Sequence, residues 1–244
     1  PRECDLVVYS PAVRGNNPEL LFARERGIPT YSYPEMLGLV SKRKRLIAVS
    51  GSHGKTTTTA MLAEIFVGAK RDPTVVIGSI LGKQKSNFIG GRGEWFIAEA
   101  CEYRRSFLHL SPHILVITNV DNDHLDYYGT LRNVQKAFNE FARKVPKDGY
   151  IICNPKDKKV KPALVGVRAQ IVDYTKERVP KLPVPGEHNK MNAKAARAAP
   201  RAAGADPLPL APRFRVLLTR VVLILGSATF LYLLWSFEPS VVWS

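Results

Sequence analysis

The residues best suited to chemistry lie in one run, Leu46 to Thr59, which reads L-I-A-V-S-G-S-H-G-K-T-T-T-T. Lys55 brings a positive charge and Thr56 a hydroxyl, directly behind Gly51 and Gly54. An ammonium can reach the β- and γ-phosphates of a nucleotide, a hydroxyl can ligate Mg2+, and glycines let backbone N–H groups wrap phosphate oxygens. A short apolar run, Leu46 to Val49, precedes the glycines with the length and branching of a buried strand. Ala60, Met61, Leu62, Ile65 and Phe66 mark a helix behind them. The unpaired N–H groups and positive end of such a helix favour an anion. Gly51, Ser52, His53, Gly54, Lys55, Thr56 and Thr57 are therefore the candidate nucleotide-binding residues. The spacing departs from G-x-x-x-x-G-K-[ST], which would want glycine at Val49. A chance glycine turn before a helix is the plain alternative.

Two other strand ends offer partners. Trp95 to Ala98 reads as a strand that delivers Glu99, a carboxylate able to reach Mg2+ directly or through water. Ile114 to Thr118 reads as another, followed by N-V-D-N-D-H-L-D, where Asp121, Asp123, His124 and Asp126 crowd one loop. So many like charges together point to a cation or to hydrogen-bonded caps. Asn189 and Asn192 open a later helix with His188 beside them, and an amide offers both a donor and an acceptor to a purine edge. Helix capping is the alternative for Asn189.

G-S-H-G-K-T-T-T-T resembles the ATP loop of the Mur ligases, ATP-dependent amide-forming enzymes of peptidoglycan synthesis, whose loop usually reads G-T-[HN]-G-K-[TS]-T. E-A-C-E-Y-R at Glu99 is similar to the family's E-A-D-E-S-D, with Cys101, Tyr103 and Arg104 departing from it. T-N-V-D-N-D-H-L-D resembles T-N-[IV]-x-x-D-H-[LM]-D, and G-E-H-N-K-M-N resembles G-x-H-N-x-x-N-A. The resemblance implies Lys55, Glu99 and His124 as catalytic residues, with Thr56, Glu99 and His124 as Mg2+ ligands. It implies His188, Asn189 and Asn192 at the nucleotide, and Asn87 and Asn119 toward the substrate. Gly90 and Gly91 match the same substrate-approaching stretch. His53 points to the histidine-bearing branch, which joins L-alanine to UDP-N-acetylmuramate through an acyl phosphate, or recycles a murein tripeptide. ATP and Mg2+ are the implied cofactors.

The elements needed to position these residues alternate strand and helix, which predicts an α/β fold with a mostly parallel sheet. Residues 1–43 resemble part of the family's small N-terminal α/β domain, and 44–206 its central ATP-binding domain. Residues 207–244 resemble nothing in the family. Val221 to Phe237 carries no charge and follows Arg213, Arg215 and Arg220, so 216–237 reads as a membrane anchor, a fused end or a buried apolar helix. The resemblance thus implies a partial chain, without the start of the first domain and without the third. A working ligase and an ATP-binding fragment lacking the reaction are both readings of that state. Ser41 to Arg45 (S-K-R-K-R) is expected as a solvated hinge, Gly78 to Gly93 as a long loop, and Cys101 as a small buried residue. His109 and His113 are expected to be structural.

The 244 residues carry a net charge of +15, with 45% hydrophobic and 23% charged residues. The cations are scattered and match no nucleic-acid motif, so an anionic nucleotide substrate explains the charge more simply. Three cysteines without a C-x-x-C exclude a zinc ribbon or disulfide frame and fit a reducing compartment. With ATP use and no signal pattern at the N-terminus, this predicts a cytoplasmic protein.

Overall fold

The computed structural model describes residues 4–81, 85–180, 182 and 185–204. Val7–Tyr9 (β1) leads through the helix Pro18–Glu25 (α1) to Thr30–Ser32 (β2), which pairs in parallel with β1. Asn17 starts α1 by accepting from the backbone N–H groups of Glu19 and Leu20 at 2.9 and 3.2 Å. The helix Tyr33–Ser41 (α2) follows, entered through Pro34 and held by the Glu35 carboxylate, which accepts from the Ser32 N–H at 2.7 Å. The sequence reading did not find β2 or α2. Leu37 of α2 packs into the main core, and Gly38 lies flat against the carbonyl of His109.

Among the described residues the main sheet has seven strands. They are Arg45–Ser50 (β3), Thr74–Leu81 (β4), Ser86–Ile89 (β5), Trp95–Glu99 (β6), Ile114–Ile117 (β7), Tyr150–Cys153 (β8) and Gln170–Asp173 (β9). Their order is β5-β4-β6-β3-β7-β8-β9, and only β5 runs antiparallel to its neighbour. The α/β fold with a mostly parallel sheet is therefore as expected. Parallel sheets need cover on both faces, and β3 is apolar on both. Its Leu46 and Ala48 join the layer of Phe107, Phe138 and Phe141, under the helix Leu131–Ala142. Its Ile47 and Val49 face the helices Lys55–Gly68 and Glu187–Ala202, with Met61, Phe66, Ala195 and Ala199. In chain order these helices are α3 (Lys55–Gly68), α4 (Leu125–Tyr128), α5 (Leu131–Ala142) and α6 (Glu187–Ala202). The alanines of α6 let it lie close against α3.

Three expectations are corrected. The stretch 78–93 is largely a hairpin rather than a loop: β4 runs on to Leu81 and pairs with β5, Val76 opposite Phe88. Its Gly90 and Gly91 do not reach the site. A Cβ on Gly91 would meet the carbonyls of Asp72 and Pro73 at 2.2 and 2.3 Å, at the start of β4, the far end of the sheet from the phosphate loop. The basic run at 41–45 is no free hinge, since Lys44 Nζ donates to Thr74 Oγ1 at 2.9 Å and to the Gly91 carbonyl. Arg45 lies over the Trp95 ring at 4.4 Å. Cys101 is exposed, not buried, although Ala100 and Glu102 on either side of it are buried.

The apolar segment 216–237 lies outside the described residues. Among those described, no helix is long and apolar enough to cross a membrane.

Candidate active site

The carboxyl ends of β3, β6 and β7 lie side by side, and the candidate residues follow directly from them. In an open parallel sheet this is where neighbouring strands lead their connections apart and leave a crevice. From β3 the chain passes through Gly51 and Gly54 into α3. Gly51 has φ +138°, and a Cβ there would come within 2.0 Å of Thr118 Oγ1. Gly54 has φ +84°, with Asn192 Oδ1 at 2.4 Å from the place of a Cβ. Both positions demand glycine, for backbone conformation and for space.

The loop is laced to the chain that follows β7. Thr118 Oγ1 donates to the His53 carbonyl at 2.6 Å. The Asn119 amide grips the same residue twice, accepting from the His53 N–H and donating to its carbonyl, each at 2.9 Å. Ser52 Oγ accepts from the Asp121 N–H at 2.8 Å. Below them Tyr174, its hydroxyl pKa pushed up to about 12 by burial, donates to the Thr118 carbonyl at 2.7 Å. Asn119 thus clasps the phosphate loop, and the hydroxyl of Ser52 is engaged by the backbone of Asp121. Asn119→Ala should weaken binding of an anion to this loop about tenfold, the worth of one or two hydrogen bonds that keep the N–H groups aimed. Titration calorimetry with ATP checks this, and an unchanged affinity would mean that the loop keeps its shape without the clasp.

At the mouth of α3, Thr56 Oγ1 donates to Glu99 Oε2 at 3.1 Å, and the Gly78 N–H donates to Glu99 Oε1 at 2.7 Å. Burial raises the Glu99 pKa, opposed by the hydrogen bonds from Gly78 and Thr56 and by the charge of Lys55. Lys55 Nζ curls onto its own loop, donating to the Gly51 carbonyl at 2.6 Å, and pairs with Glu102 Oε1 at 2.9 Å. Glu102 is fully buried. Sequence reasoning missed it, although E-A-C-E displays it three residues after Glu99.

The expected grouping of Thr56, Glu99 and His124 is divided in two. Thr56 and Glu99 form one pair. His124, in a left-handed conformation at φ 53°, instead joins Glu102 and Asp123, with ligand atoms all within 4.8 Å of one another. Tyr103 stacks on the His124 ring, centroids 4.7 Å apart.

A cavity of about 680 Å3 opens beside Glu99, between the β1–α1 segment and the main sheet. Lys55, Asn87, Glu99 and Cys101 line one wall, and Tyr9 and Asn17 the other. Thr57 lies within α3, and His53 and His188 are exposed. Asn189 is buried and donates to the Pro185 carbonyl at 2.9 Å, while Gly186 takes the capping position. Asn192 is the residue that brings α6 against the phosphate loop.

A family model described as Mur ligase middle domain matches residues 49–179, more than half of the chain. The chain belongs to the Mur ligase family. It is 43% identical over 174 residues to the UDP-N-acetylmuramate–L-alanine ligase of Clostridium botulinum (strain Eklund 17B / Type B), matching 71% of this chain and 38% of that protein. The like-named ligase of Clostridium perfringens (strain 13 / Type A) is 40% identical over the same shares. The chain therefore spans well under half the length of the curated relatives it matches. Among solved structures, the UDP-N-acetylmuramate–alanine ligase of Thermotoga maritima superposes with a TM-score of 0.71 at 29% identity, over 87% of this chain and 54% of that one. The UDP-N-acetylmuramate:L-alanyl-gamma-D-glutamyl-meso-diaminopimelate ligase of Neisseria meningitides has the same fold, with a TM-score of 0.77 at 24% identity, over 90% of this chain and 80% of that one.

Proposed function

We propose that this chain carries the ATP site of a ligase that joins L-alanine to UDP-N-acetylmuramate in the cytoplasm. The observation that carries the reading is the convergence at the mouth of α3, where Lys55 meets Glu102 and the Thr56 hydroxyl meets Glu99. The Clostridium relatives bear the name of that activity at up to 43% identity.

The donors present suit Mg2+. Thr56 and Glu99 offer hard oxygens at the start of α3. Thr56 and Glu99 would hold one ion, and His124 and Asp123 offer further donors. Bound there, Mg2+ would supply positive charge against phosphate oxygens.

The chain's own residues account for the rest. The N–H groups of the loop and of the first turn of α3 bind phosphate, and the clasp of Thr118 and Asn119 keeps them aimed without reorganisation. Lys55 places its charge at the β- and γ-phosphates. Asn192, beside Gly54, and Asn189 bound the nucleotide on the α6 side. The cavity past Glu99 leads from the loop to Asn87, the place proposed for the carboxylate of UDP-N-acetylmuramate. Phosphorylation of that carboxylate gives an acyl phosphate, which the amino group of L-alanine attacks to release phosphate.

The test is phosphate release from ATP with UDP-N-acetylmuramate, with and without L-alanine, together with ATP binding by calorimetry. Binding in the micromolar to millimolar range, dependent on Mg2+, is the expected result. No binding at all would end the reading, and binding without alanine-dependent release would confine the chain to the nucleotide site. Glu99→Gln should lose about tenfold in Mg2+-supported ATP affinity, about 1.4 kcal/mol for one charged contact. A Glu99→Gln protein with undiminished Mg2+ dependence removes Glu99 from the metal's surroundings.

A further inference from the structure

Glu102 stands where the end of β6, the phosphate loop and the His124 turn meet. Its Oε1 is 2.9 Å from Lys55 Nζ and 3.7 Å from His124 Nε2, while its Oε2 is buried and unpartnered among the described residues. Its backbone carbonyl accepts from the Tyr128 hydroxyl and from the Arg105 N–H. Burial pushes the Tyr128 pKa up to about 12, so that hydroxyl stays a donor. The backbone is anchored, and the side chain has little room to move.

A buried carboxylate is unfavourable unless cations or donors offset its lost hydration, and one oxygen here has no donor. A neutral side chain of the same volume would fill the space at lower cost. The charge gains only through what it faces, and its near neighbour is Lys55. An ammonium has three N–H donors. Those of Lys55 have three acceptors at hand, the carbonyls of Gly51 at 2.6 Å and Ser52 at 3.4 Å and the carboxylate of Glu102. The side chain is saturated while curled over its own loop.

We infer that Glu102 is a positioning residue of the phosphate loop, a buried carboxylate that stores Lys55 on the loop and must yield it to an incoming phosphate. This rests on the nucleotide reading above. The exchange is one anion for another, so Lys55 stays within reach of the loop and is never left without a counter-charge. Competition of this kind fixes the sign of a mutation. Removing the carboxylate's charge frees Lys55 and takes a negative charge away from the phosphates, so nucleotide should bind more tightly. A carboxylate that served structure alone would give unchanged or weaker binding.

The experiment measures ATP binding by calorimetry, with Mg2+ present, for wild type, Glu102→Gln and Glu102→Asp, alongside thermal unfolding. Glu102→Gln should bind ATP about fivefold tighter, the scale of one partly screened charge contact. Glu102→Asp keeps the charge but shortens the reach, and should fall between the two. Equal or weaker binding by a folded Glu102→Gln protein overturns the inference. Mass-spectrometric acetylation of wild-type lysines tests the contact without a variant. Lys55 should react about tenfold more slowly than the exposed Lys190, because its donors are taken. Reaction at the same rate overturns the stored position even if the variants fail to fold. A wild-type protein that binds no ATP fails the nucleotide reading instead, and the labelling still decides the contact.

Discussion

Lys55→Ala should abolish measurable ATP binding and also destabilise the fold. The first effect follows from removing the Lys55 ammonium from the mouth of α3, where a charge-assisted contact to phosphate gives way to none. A loss of 100-fold or more in affinity, about 3 kcal/mol, is expected. The second effect follows from Glu102, fully buried and left without its ammonium. Breaking a buried pair from one side costs about 3 kcal/mol, because the remaining charge keeps its desolvation without compensation. For a chain of this size that lowers the melting temperature by roughly 6–12 °C. The double variant Lys55→Ala/Glu102→Gln separates the two. It should regain most of the lost stability and little of the lost binding. Retained ATP affinity in Lys55→Ala would sink the site assignment, and an unaltered melting temperature would show the buried pair to be of little consequence.

Gly51→Ala should be nearly as damaging, through geometry alone. A Cβ at this position would stand 2.0 Å from Thr118 Oγ1 and 2.9 Å from the Asn119 carbonyl, with φ at +138°. The backbone cannot hold that conformation cheaply with a side chain, at about 1–3 kcal/mol for the strain. Relieving the clash would push the loop away from β7 and break the bonds from Thr118 and Asn119 to His53. Affinity for ATP should drop at least 100-fold, with a loss of about 3 kcal/mol in stability, read from calorimetry and denaturant titration. Gly129→Ala is the control. Gly129 also has positive φ, at 73°, but its place for a Cβ is open. It should bear only the backbone penalty of about 1 kcal/mol and keep ATP binding.

The loop, its strand and its helix were legible because they are local, with apolar run, glycines, Lys-Thr and helical spacing all contiguous. Glu99 and the segment after β7 were found from strand ends in the same way. What stayed hidden depends on contacts between distant residues. Glu102 looks like any surface glutamate in sequence, and only the turn after β6 sinks it beneath Lys55. His124 was grouped with Glu99, yet its left-handed backbone aims it at Glu102. Asn119 reads as a ligand residue in sequence, and its bonds to His53 become visible only in the fold. The β4–β5 hairpin was missed because Gly, Ser, Lys and Asn dominate 78–93, a composition that resembles a loop, while pairing with the edge of a sheet overrides it. Cys101 suffered from the general burial of cysteines, which says nothing about a chain just leaving a strand. The helix α2 is short and begins on Ser-Tyr-Pro, and its one strong signal, Glu35 three residues after Ser32, was not read.

The lacing of the phosphate loop from afar has a consequence for how the protein comes into being. The loop's residues leave the ribosome early, but Thr118 and Asn119 come 65 and 66 residues after His53, and Asn192 must then settle against Gly54. Contacts so distant along the chain are slow to form, since loop-closure entropy has to be overcome before they contribute. A nascent chain halted before α6 would own every glycine of the loop and still lack its shape. The loop therefore takes its final shape only once β7 and α6 have joined it.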